Sequence, residues 1–334
     1  MKLPKSVWAD LALLFITLLW ASTFAVVKEC LVQASPVLFL ALRFWIAGAA
    51  ILLFLPGALR GISQKTLWRG CKLSLLLATG YVFQTVGLKE TTPSRCAFIT
   101  SLFVLLVPLF GYVLIRYRPR IQTLFGIGLA TAGLVFLTLN PKDLTVSRGD
   151  VLTLLCAVVF ALQILFLGRY LNESDHRQLT VLQILGTAVL CTLVGPVIER
   201  PFISWNAGLT LYLIMTGVFA TALTCYIQSS AQRFTTANRA ALVFALEPFF
   251  ACLFAYVLLG QTMTGREWLG GGLVLAGIIT SELRRNGKNS AWHNSLAGAT
   301  ARSPVSQVGS VASSFAGNST HRRGSLLRHF TAFL

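Results

Sequence analysis

Charge is what this chain has least of. Asp, Glu, Lys and Arg supply 12% of its 334 residues against 55% that are apolar, and the carboxylates number only 11. A water-soluble domain carries about 25% charged residues, so this surface is not built for water. Histidine is almost missing too. His176, His293, His321 and His329 are the whole set, read as loop or tail positions, with no HExxH, no histidine pair and no Ser/His/Asp spacing. No metal, no cofactor and no enzymatic chemistry is expected. The seven cysteines form no CxxC; most lie in apolar runs, where Cys acts as a small hydrophobe. Cys30 and Cys96 lie near span ends and could meet, but no disulfide is expected of them. A small-residue cleavage site is absent from the first apolar stretch, which therefore reads as a retained helix.

What the chain does have is long apolar runs. A helix crosses the hydrocarbon core with about 20 apolar residues. Such runs lie near 8–27, 36–56, 70–88, 94–115, 121–139, 150–168, 178–197, 208–229, 238–259 and 266–283. Pro and Gly punctuate them at Ser35-Pro36, Pro56-Gly57, Arg118-Pro119 and Asn140-Pro141. A formal charge of +17 is also found in nucleic-acid binders, but here Lys and Arg sit in short clusters between the runs. That is the pattern of a protein in a lipid bilayer, with no nucleic-acid partner. With the N-terminus inside, sixteen basic residues fall on the cytoplasmic side and seven outside. An inner-membrane protein with both termini cytoplasmic is expected.

The chain also repeats itself. Residues 84–133 shifted by 144 overlay 228–277, matching Gln84 with Gln228, Thr91-Thr92 with Thr235-Thr236, Arg95 with Arg239 and Ala132-Gly133 with Ala276-Gly277. Earlier positions match with a shift of 140: Asp10 with Asp150, Ala21 with Ala161, Pro56 with Pro196. A unit of five spans has odd parity, so its second copy enters the membrane upside down. The expected fold is an all-α membrane protein of about ten transmembrane helices, arranged as two inverted five-helix repeats at 1–139 and 149–284. Residues 285–334, rich in Ser, Gly, Ala and Asn, read as a disordered cytoplasmic tail. Inverted repeats are the architecture of alternating access, which favours a transporter over a membrane enzyme.

Leu19-Trp20-Ala21-Ser22-Thr23-Phe24 with Lys28, Leu42-Arg43-Phe44, the Thr91-Thr92 to Ala97 segment, Leu246-Glu247-Pro248 and the two Gly-rich segments ending in Ala-Gly stand in order along residues 8–284. This pattern resembles the drug/metabolite transporter superfamily, EamA type. The resemblance implies a secondary transporter, proton- or gradient-linked, that exports a small metabolite (an amino acid or related compound) or a drug.

Charges inside spans are costly and need a reason. Two lie deep: Arg43 and Glu247. Glu247, followed by Pro248, could exchange a proton or bind a substrate amine; alternatively it pairs with Arg43 to hold the halves together. Gln84 and Gln228 occupy equivalent repeat positions, as a pseudo-symmetric site requires, and Gln163, Gln183, Ser22, Thr23, Thr100 and Ser101 join them as buried polar groups. Trp20, Trp45, Tyr81 and Tyr226 are the aromatic candidates for a pocket wall. Gly126, Gly128, Gly270 and Gly272 follow no strand, so close helix packing is expected of them and not phosphate binding. Two rival functions remain: a membrane-embedded lipid-modifying enzyme, for which no carboxylate or histidine cluster is present, and a passive channel, which needs no intramembrane Glu-Pro.

Overall fold

The computed structural model describes residues 4–116, 119–138, 146–259 and 264–282; the tail expected at 285–334 lies outside the described residues. Helices α1 (Lys5–Gln33), α2 (Pro36–Phe54), α3 (Gln64–Glu90), α4 (Pro93–Ser101), α5 (Phe103–Ile115) and α6 (Ile121–Thr138) form the first half. The second holds α7 (Arg148–Tyr170), α8 (His176–Ile198), α9 (Ala207–Gly217), a π-helical segment (Val218–Leu223), α10 (Thr224–Gln232), α11 (Ala237–Phe244), α12 (Glu247–Leu259) and α13 (Gly265–Glu282). Among the described residues, eight helical spans are long and apolar enough to cross a membrane, α4–α5, α9–α10 and α11–α12 each counting as one; Ile121–Phe136 and Trp268–Thr280 are shorter apolar helices. The protein is an all-α membrane protein.

Local chemistry sets the ends. Pro36 and Pro93 open α2 and α4, where a missing N–H costs nothing. Thr92 and Thr236 accept from the backbone N–H of Arg95 and Arg239, capping α4 and α11 at the same repeat position. Ser147 and Asp150 form a reciprocal capping box on α7. Lys28, just past the end of the first apolar run at 8–27, lies inside α1, which runs on to Gln33. Its ammonium donates to the carbonyls of Leu88, Lys89 and Thr91 at 2.7–2.9 Å, capping α3 and so satisfying the charge that would otherwise end the span. His176 likewise is no loop residue: it opens α8 and is buried. All seven cysteines, Cys30 and Cys96 included, are free thiols.

The outer surface is apolar, with Leu53 81% and Val197 85% exposed, whereas Thr17, Thr153, Gln183, Thr187 and Ser229 are fully buried. Polar groups gather inside because lipid cannot bond them.

Contacts between the halves are reciprocal. A Cβ on Gly133 would stand 2.5 Å from the Gly270 carbonyl, and one on Gly277 would stand 2.4 Å from the Gly126 carbonyl, so α6 and α13 touch through the same two positions twice. Gly128 and Gly272 instead meet open space. Backbone cannot yield to a new side chain. Gly133→Leu should therefore cost about 3 kcal/mol or more through overpacking, read as loss of monodisperse protein in detergent chromatography, while Gly128→Leu should be tolerated.

Two ion pairs repeat the pattern. Arg95 of α4 bonds Asp150 of α7 at 2.8 Å, and Arg239 of α11 bonds Asp10 of α1. Arg95 and Arg239 share a repeat position, as do Asp10 and Asp150. The pairs lie at opposite ends: Lys28, 18 residues beyond Asp10 on α1, holds the Thr91 carbonyl, and the Thr91 hydroxyl donates to Asp150 at 2.7 Å. At 1.5 Å per residue that is about 27 Å, close to the ~30 Å of a hydrocarbon core.

Between α7 and α8, Glu173 receives Lys65 and Arg69 of α3. These two cations hold its carboxyl at about 2, well below the ordinary carboxylate range. A lowered value in the folded state adds stability above about pH 5 that is lost as pH falls towards 2. Glu173 is 39% exposed, so solvent screening leaves about 0.5 kcal/mol. Glu173→Gln should lower the unfolding temperature slightly at about pH 7 and make no difference near pH 2.

Candidate functional site

Spans four and nine are broken at the same repeat position. α4 gives way to α5 at Leu102 and α11 to α12 at Leu246, each through a tight turn: Leu102 N–H donates to Ile99 O and Leu246 N–H to Val243 O. Ser101 also donates to the Ala97 carbonyl at 2.9 Å, the kind of back-bonding that bends helices. Within a span a proline removes a backbone bond, and so Pro248 is a natural place to look for the break. It falls instead in the first turn of α12, where no bond is lost, and the turn at Ala245-Leu246 makes the break. Each break starts a new helix inside the span. Phe103 opens one and Glu247 the other, at equivalent positions.

Both line a cavity of about 70 Å³. A water fills about 10–15 Å³ on this measure, so the space suits five to seven waters or a solute of similar size. Fourteen of its 19 lining residues form repeat-related pairs: Trp20 with Phe160, Thr23 with Gln163, Phe24 with Ile164, Tyr81 with Cys225, Gln84 with Gln228, Thr100 with Phe244, Phe103 with Glu247. The cavity therefore sits where the two halves face each other, and its chemistry differs from one half to the other.

Glu247 is 5% exposed. Among the described residues no hydrogen bond or ion pair reaches its carboxylate, and the alternative of a pair with Arg43 is not made. The N-terminus of α12 offers it partial positive charge, but its lone pairs are left for something inside the cavity. Arg43 is committed elsewhere. Its Nε donates to Thr221 Oγ1 at 2.7 Å and its Nη2 to the Ala220 carbonyl at 3.3 Å, with the guanidinium 5.2 Å from the Tyr81 ring centre. Both partners belong to the π-helical segment. The Ala220 carbonyl there also accepts from Trp20 Nε1 at 3.2 Å and Thr224 Oγ1 at 2.9 Å. Single π turns recur at functional sites because they free such groups.

Residues 7–139 and again 147–282 match the model of the EamA-like transporter family. The chain belongs to that family. This EamA-like protein is 33% identical to an uncharacterized transporter of Archaeoglobus fulgidus, over 84% of this chain and 87% of the relative. It is 22% identical to the uncharacterized transporter YdfC of Bacillus subtilis, over 81% and 90%. A solved crystal structure shares its fold with a TM-score of 0.68 at 22% identity, covering 83% of this chain and 97% of its own. The protein is a membrane transporter.

Six of the eight residues expected to meet a solute stand together in this EamA cavity: Glu247, Arg43, Gln84, Gln228, Trp20 and Tyr81. Ser22 and Tyr226 do not. Cavity residues on α1 follow 20, 23, 24 and 27, one helical face, and Ser22 lies off it, exposed, donating to Leu19 O. Tyr226 is one residue from Cys225 and packs on His176 at 5.8 Å. Trp45 is 45% exposed and bonds Thr192. Thr23, Thr100 and Gln163 reach the cavity; Gln183 stands behind, accepting from Gln163 at 3.3 Å, and Ser101 bonds its own helix. Phe24, Phe103, Phe160 and Phe244 were not singled out from the sequence. In a chain with 23 phenylalanines, helical spacing from Trp20 and the repeat shift were the available signals.

Proposed function

We propose that this protein is a secondary transporter that exports a small amine-bearing metabolite, such as an amino acid or related compound, or a drug, by alternating access of two inverted five-helix repeats. The observation that carries this reading is the Glu247 carboxylate, buried, lining the cavity and without a protein partner among the described residues. A charge in that position demands a counter-charge: the ammonium of a solute or a proton. Amides from Gln84, Gln163 and Gln228 add donors and acceptors, and the aromatic walls suit an apolar body. Reciprocal contacts at equivalent positions support the inverted arrangement. The excess of Lys and Arg on one side supports an inner-membrane protein with cytoplasmic termini.

The test is counterflow in proteoliposomes. Loading with an unlabelled amino acid or toxic amine should accelerate uptake of the same labelled compound, because a loaded carrier returns faster than an empty one. A channel shows no such acceleration, and uniform absence of trans-stimulation across a panel of amines would end the alternating-access reading.

A further inference from the structure

Two ion pairs and a run of buried polar side chains lie outside the cavity and have no part in it. We propose that Arg95–Asp150 and Arg239–Asp10 are the two gates of the transport path, and that the route from the cavity to the Arg239 end is a wet passage along α10 and α11. The proposal rests on the alternating-access reading above.

Position comes first. Each pair ties a helix of one half to a helix of the other, α4 to α7 and α11 to α1. Trp20, on the cavity wall, is ten residues from Asp10 and eight from Lys28, so the cavity lies about 15 Å from one pair and about 12 Å from the other along α1. A carrier must close one end while the other opens, and each half must be able to take up the arrangement the other has left. Contacts that are equivalent by the repeat, cross from half to half and stand at opposite ends satisfy both conditions. A strut that only held the halves together would not need to be swapped between them.

The second observation concerns the Arg239 end alone. Between Gln228 of the cavity and Arg239, five side chains carry a buried polar atom with no protein hydrogen-bond partner among the described residues: Ser229, Ser230, Gln232, Thr235 and Asn238. Buried polar groups that protein leaves unsatisfied are met by water or solute. Their counterparts at the Arg95 end are different. Ser230 and Gln232 correspond to Val86 and Leu88, Ser229 and Asn238 to Thr85 and Ser94, and Thr235 to Thr91, whose hydroxyl is taken by Asp150. Two of the five polar positions on the Arg239 side are therefore apolar on the Arg95 side, and a third has its hydroxyl bonded there. A solute that keeps part of its hydration meets less resistance on the Arg239 side.

Cys225 on the cavity wall is a native reporter. Full-length protein in oriented vesicles is treated with a membrane-impermeant methanethiosulfonate from one side at a time, and modification of Cys225 is followed by peptide mass spectrometry, which separates it from exposed Cys71. Asp10→Asn should speed modification from the Arg239 side by about tenfold or more, and Asp150→Asn from the opposite side, as each frees one end of a two-state equilibrium. Exchanging the charges, Asp10→Arg with Arg239→Asp, should return the rate to that of the unaltered protein. It also carries the test if Asp10→Asn fails to accumulate. Unchanged rates in both single variants, or acceleration from the same side in both, would overturn the gates. Wild-type counterflow is measured in the same vesicles: present with unchanged labelling, it sinks the gates and spares the carrier; absent, it sinks the carrier reading itself. For the passage, Ser230→Val with Gln232→Leu should slow Cys225 modification from the Arg239 side and leave the other side unaltered; equal rates would remove the wet route.

Discussion

Glu247→Gln should reduce transport by about tenfold to a hundredfold, the effect of losing one charged hydrogen bond worth about 1.5–3 kcal/mol, while the protein folds as well as before or better. The two halves of this expectation come from the same observation. A carboxylate that contributed to the fold would hold a protein partner, and Glu247 has none among the described residues although it is 5% exposed. Glutamine keeps the size and removes the charge. The cost of keeping an uncompensated group away from water is thereby relieved, so the unfolding temperature in detergent should stay or rise. Counterflow of amine-bearing solutes should collapse, and any pH dependence of flux that a proton on Glu247 confers should vanish with it. A variant that loses transport together with its folded population would show Glu247 to be a structural residue.

Much of this was legible from the residues. The ten apolar runs, the all-helical class and the repeat follow from length, hydropathy and self-similarity; among the described residues eight spans and two shorter apolar helices stand at those runs, with ends moved by a few residues, and the family model matches twice. One moved end has a plain cause: Lys28 is polar in sequence but bonded in space, so α1 continues through it to Gln33. The site was partly legible. Charge inside a span singled out Arg43 and Glu247, and repeat equivalence singled out Gln84 and Gln228, because both signals survive without knowing which face of a helix turns inward. Ser22 and Tyr226 misled for lack of that facing. The π-helical segment was invisible, since Val218–Leu223 has the composition of any apolar helix and is marked only by what docks on it. Self-similarity shows only the equivalent positions that kept their residue, whereas the cavity also holds equivalent positions of different chemistry: Phe103 against Glu247, Trp20 against Phe160.

Arg43 is the opposite case to Glu247. It, too, is a buried charge on the cavity wall, 3% exposed, and residue type alone would make it a ligand for an anionic solute. Its contacts point the other way. Two of its nitrogens are bound to the π-helical segment and its plane lies near Tyr81, so α2, α3 and span eight meet at this one side chain. Hydrogen bonds inside membrane proteins average about 0.6 kcal/mol, and a desolvated cation–π contact about 2. Arg43→Met should therefore cost about 2–4 kcal/mol, softened because Trp20 and Thr224 still donate to the Ala220 carbonyl. Arg43→Lys is the decisive variant. Lysine keeps the charge but not the fork that spans Ala220 and Thr221; if anchoring is the role, it should lose most of the stability that methionine loses. Should Arg43→Lys keep its unfolding temperature and lose flux, the guanidinium would be a solute ligand. The expected pair of results, transport lost with stability kept at Glu247 and stability lost at Arg43, assigns the two buried charges to different work: one meets the solute, and the other holds the wall it moves past.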